Sequence, residues 1–91
     1  MTKSELQQNV LSNAKYIRKQ LNLTQAEFAD KLGIKRATVG AFEDGRSMGI
    51  EVAIIICDFV KISLDTFYRT DMSKAPVPEE IGLTIGKDVK Q

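Results

Sequence analysis

"TQAEFADKLGIKRATVGAFEDGR", residues 24 to 46, holds two short amphipathic segments joined at one glycine. Thr24 with Glu27 three residues on is a capping-box pattern, in which hydroxyl and carboxylate satisfy two otherwise orphan amides at a helix start. The spacing predicts a helix over 25–32, ended by Gly33, which adopts a left-handed backbone without a Cβ clash. Ile34, Val39 and Phe42 supply the apolar stripe of a second helix, which "EDGR" closes at Gly45. Phe28, Ala29 and Leu32 point to the same interior, with Ala29 small where two helix axes must approach. The outward face of the second helix, in "KRATVGAF" (35–42), carries two alanines and a glycine behind two basic residues.

The flanks extend this pattern. Leu6, Val10, Ala14, Ile17 and Leu21 recur at steps of three and four, which predicts a helix over 6–21 with Ser4 as N-cap. "GIEVAIIICDFVKI" (49–62) reads as a fourth helix of about ten residues, with a buried strand as the alternative that its β-branched content leaves open. Ile50, Ala53, Ile54, Cys57 and Val60 are expected to face inward there. Val52, Ile55 and Phe59 then form a second apolar stripe. Ser63 opens a short fifth helix with an acidic first turn at Asp65. Beyond Arg69 the texture changes to "PVPEE" and then "IGLTIG", where alternation predicts a short strand at 81–85. The chain therefore divides into a domain over 1–70 and a C-terminal extension over 71–91, a linker or a dimerisation tail.

Composition bounds the function. The 91 residues are 43% hydrophobic and 27% charged, as in one small globular domain. A net charge of +1 gives no whole-protein affinity for polyanions, so any such affinity rests on where the charges lie. Residues 1–20 hold Lys3, Lys15, Arg18 and Lys19 against Glu5, which makes the front of the chain mildly basic. The single cysteine, Cys57, lies in an apolar run, and no apolar stretch approaches the ~20 residues of a membrane span. A soluble, cytoplasmic protein without membrane association fits these features. The chain has no histidine, no phosphate-binding glycine loop and no metal-ligand spacing, so neither an enzyme nor a cofactor or metal site is expected.

Short helix, glycine turn, short helix is the helix-turn-helix arrangement, whose second helix can enter the major groove of DNA. "YIRKQLNLTQAEFADKLGI", "FEDGR" and "VKISLDTFY" follow one another in the order and spacing of the lambda-repressor and Cro-like, or XRE, family, which residues 9–69 resemble. The resemblance implies an all-α, five-helix DNA-binding domain acting as a transcriptional regulator, most simply a repressor on a two-fold operator, bound as a homodimer. It implies that Gln25 hydrogen-bonds a phosphate at the start of the first motif helix. It makes Arg18 and Glu43 an ion pair between the first and recognition helices. Lys35 stands where relatives often cap with Ser or Thr, and its ammonium can reach a phosphate instead.

Arg36, Ala37, Gly40 and Ala41, with Thr38 among them, occupy positions from which relatives read base edges. Arg36 can hold guanine bidentately or grip a phosphate, the alanines offer methyl contact to thymine, and Gly40 serves either close approach to DNA or helix packing. Arg46 follows in a loop that runs along the backbone in relatives, whereas Met48 and Gly49 weaken that flank. The stripe Val52, Ile55, Phe59 is expected at a dimer interface, unless "VPEEIGLTI" folds back over it. Two other functions fit the same sequence: an antitoxin whose apolar tail binds a toxin, and a protein-interaction module that has lost DNA binding.

Overall fold

The computed structural model describes residues 1–74. The predicted strand at 81–85, the fold-back of "VPEEIGLTI" and the toxin-binding tail lie outside these residues. The described chain is all-α: α1 (Lys3–Gln20), α2 (Gln25–Leu32), α3 (Arg36–Glu43), α4 (Ile50–Val60) and α5 (Leu64–Arg69). No helix among the described residues is long and apolar enough to cross a membrane.

Each helix begins and ends where local chemistry dictates. At α2, Thr24 Oγ1 accepts the Glu27 amide at 3.1 Å while Glu27 Oε1 accepts the Thr24 amide at 2.8 Å. The same box opens α1, but from Thr2 with Glu5 rather than from Ser4, which lies inside the first turn. Ser63 caps α5 through the Thr66 amide. Four helices end through a left-handed residue: Asn22, Gly33, Gly45 and Lys61, at φ of 58°, 71°, 97° and 62°. After α3 the Gly45 amide donates to Phe42 O and the Arg46 amide to Ala41 O, the paired bonds of a Schellman turn.

Phe28, Ala29, Leu32, Val39 and Phe42 are buried between α2 and α3 against Val10, Ala14 and Ile17 of α1. α4 is a helix, not a strand, and its phase differs from the sequence expectation. Ala53, Cys57 and Val60 do face the core, but Ile56 is fully buried, while Ile50 and Ile54 point to solvent. Val52 and Phe59 are half-buried and pack against the core, leaving Ile55 as the exposed member of the expected stripe. A segment apolar on nearly every side carries no phase of its own, so contacts with the other helices decide which residues turn inward.

Two asparagines one turn apart on α1 receive the end of α5. Asn13 is 1% exposed, donates to Phe67 O at 2.7 Å and Thr70 O at 2.6 Å, and accepts the Met72 amide at 3.0 Å. Asn9 donates to Tyr68 O and Thr70 O. These bonds satisfy carbonyls that the short α5 leaves open and seat Met72 in the core. The packed body thus runs past the boundary drawn at residue 70.

Candidate nucleic-acid interface

The site is assembled on α3, which the core holds by Val39 and Phe42. Those two residues fix its rotation, so Arg36 and Ala37 are exposed and Thr38, Gly40 and Ala41 half-exposed on the outer side. Beside Ala37, Thr38 and Ala41 the surface dips into a recess of about 250 Å³ that reaches Met48 and Val52. Met48 is itself 6% exposed and belongs to the core.

The N-terminus of α3 is electropositive by construction. Lys35 occupies the N-cap position without a side-chain cap bond, and the first turn has no acidic residue. The amides there are left to meet an incoming acceptor, with the positive end of the helix dipole behind them. Exposed Lys35 and Arg36 add two full charges. At the other end the Schellman turn at Gly45 carries exposed Arg46 directly out of α3. Lys35, Arg36 and Arg46 therefore flank the small-residue face from both ends.

A four-part network sets the angle at which this face is presented. Arg18 of α1 donates through Nε to Glu43 Oε2 at 2.6 Å and through Nη2 to Oε1 at 2.9 Å, a bidentate pair. Its Nη1 reaches Leu23 O at 2.8 Å, in the turn that leads into α2. Gln25, the first residue of α2, donates from Nε2 to Glu43 Oε1 at 3.0 Å. Burial pushes the Glu43 carboxyl up, but the hydrogen bonds from Arg18 and Gln25, with the positive charge of Arg18 and Lys15, outweigh it and hold the group below the ordinary carboxylate value. The guanidinium of Arg18 is raised in turn by its bond to Glu43.

The structure thus brings Gln25, Glu43 and Arg18 into one network, and gathers Lys35, Arg36, Ala37, Thr38, Gly40, Ala41 and Arg46 around one face. Ile55, Val52 and Phe59 lie on α4, apart from that network. The bond between Gln25 and Glu43 was not legible in the sequence: it joins residues 18 apart whose types are individually ordinary.

Residues 15–67 match the family model described as helix-turn-helix. The chain belongs to that family, the XRE or lambda-repressor-like helix-turn-helix proteins, and is a DNA-binding transcriptional regulator. The matched segment includes the Arg18–Glu43 pair and the whole of α2 and α3. No curated protein and no solved structure matches the chain.

Proposed function

We propose that this protein is a transcriptional repressor that binds a two-fold operator as a homodimer, with the outer face of α3 in the major groove. The observation that carries the reading is the open α3 face, with uncapped, acid-free amides at its start and Lys35, Arg36 and Arg46 around it. Lys35 and Arg46 attract phosphates, Arg36 supplies a guanine or phosphate contact, and Ala37 and Ala41 offer methyl contacts to thymine. Gly40 lets the helix approach closely. Repression follows from occupying a promoter-overlapping operator, a step that rests on the family.

The homodimer reading is supported by apolar surface that the single chain leaves uncovered. Ile50, Ile54 and Ile55 of α4 and Leu64 at the start of α5 are exposed, at 55%, 42%, 36% and 37%. Exposed large apolar side chains on a small domain favour association, and a two-fold pair matches a palindromic site. In this reading Ile55 contributes to the interface, while Val52 and Phe59 pack against the core.

A salt titration with sedimentation of the complex tests the proposal. Affinity for duplex DNA that falls steeply with salt, at two chains per site, supports it. Failure to retain duplex DNA at low salt would favour the interaction module, and co-purification with a small toxin would favour the antitoxin.

A further inference from the structure

The outer face of α3 is less bare than its sequence. A Cβ built on Gly40 would meet a single neighbour outside its own helix, the Gln25 Oε1 at 3.7 Å. The carboxamide of Gln25 therefore lies over the gap in the α3 side-chain row, on the side that Arg36, Ala37 and Ala41 share by helical spacing. Its orientation is fixed by chemistry. A carboxylate only accepts, so Nε2 must face Glu43 Oε1, as the 3.0 Å bond records, and Oε1 must turn away toward Gly40. Glu43 is itself clamped by Arg18 through two further bonds, so the amide is held before any ligand arrives.

We infer that Gln25, reaching across Gly40 from α2, is a specificity-determining residue that reads a base on behalf of the α3 face. This inference rests on the proposal that this face enters the major groove. One Nε2 proton goes to Glu43, which leaves Oε1 as an acceptor and the second Nε2 proton as a donor. Adenine offers the matching pair in the major groove, its N6 amino group as donor and N7 as acceptor. Gly40 is the residue that makes this seat, because a longer side chain there would displace the amide, whereas a methyl group at 3.7 Å would only touch it.

The test is selection from random duplexes by wild type, Gln25→Ala, Gly40→Ala and Gly40→Leu, with melting curves to confirm that each is folded. Wild type and Gly40→Ala should enrich one A·T pair per half-site that Gln25→Ala and Gly40→Leu lose, with discrimination there reduced about tenfold. Gln25→Met, which keeps the stem and removes the amide, replaces either variant that fails to fold. Identical enriched sites for wild type and the Gln25 variants, with affinity lowered evenly on all sequences, would overturn the inference and leave Gln25 a phosphate contact. Absence of any selected sequence for wild type would instead remove the proposed function, and this inference with it.

Discussion

Arg18 and Glu43 face each other across the α1–α3 junction as a bidentate pair, with side chains only 14% and 4% exposed. Removing one partner leaves the other charge buried, so Arg18→Met and Glu43→Leu should each cost about 3 kcal/mol in chemical denaturation. The double variant should be less destabilised than the sum of the two, because neither charge is then stranded. Additive losses would mean that the pair contributes nothing as a pair.

The same pair sets a pH dependence. Glu43 is held below its ordinary value of 4.5 when folded, so its contribution is complete above the unfolded-state value. It is lost as pH falls through the lower folded value. Melting temperature should therefore drop on acidification below about pH 4.5, and Glu43→Gln should flatten that drop while lowering stability at pH 7. Thermal melts from pH 7 to pH 3 measure both effects.

Asn13 is buried and meets three backbone groups. Asn13→Ala leaves the Phe67 carbonyl and the Met72 amide without their partner, while Thr70 O keeps Asn9, and should cost about 2–3 kcal/mol. Asn13→Asp should be worse at pH 7, since a carboxylate would face the Phe67 and Thr70 carbonyls, and it should recover partly in acid as the group protonates. Equal stabilities for the two variants at pH 7 would contradict this account of the α5 clamp.

Lys35 is a place where stability and binding pull apart. Lys35→Ser adds the missing cap of α3 and should stabilise the fold by about 1 kcal/mol, or roughly 4–8 °C for a domain of this size. Duplex affinity should fall at the same time, with a salt slope about one charge shallower. Gly40→Ala should also raise stability, by about 0.5–1 kcal/mol, since an alanine Cβ meets only an ordinary contact. Helix packing therefore gives no reason for the glycine.

The Thr24 and Ser63 caps, the Gly33 turn and the inward faces of α2 and α3 were legible because each depends on residues within four positions. The phase of α4 was not. "IEVAIIICDFV" offers apolar side chains in every direction, and the choice of Ile56 over Ile50 and Ile54 is made by α4's neighbours. The roles of Asn9 and Asn13 leave no local signal, since the carbonyls that they serve lie 54 to 61 positions away. Met48 and Met72 fell in segments that looked like loop and linker, yet both are in the core. For the interface, the basic residues and the small-residue face could be read directly. The seat of the Gln25 amide could not, because it exists only once α2 and α3 are folded together.

Selection from random duplexes by the wild-type chain tests the central claim most directly. The account predicts enriched sites of two-fold symmetry, with half-sites about one helical turn apart, few fixed positions and a lean toward A·T pairs. Enrichment of asymmetric sites, of half-sites with many fixed G·C pairs, or of no sequence at all would contradict it.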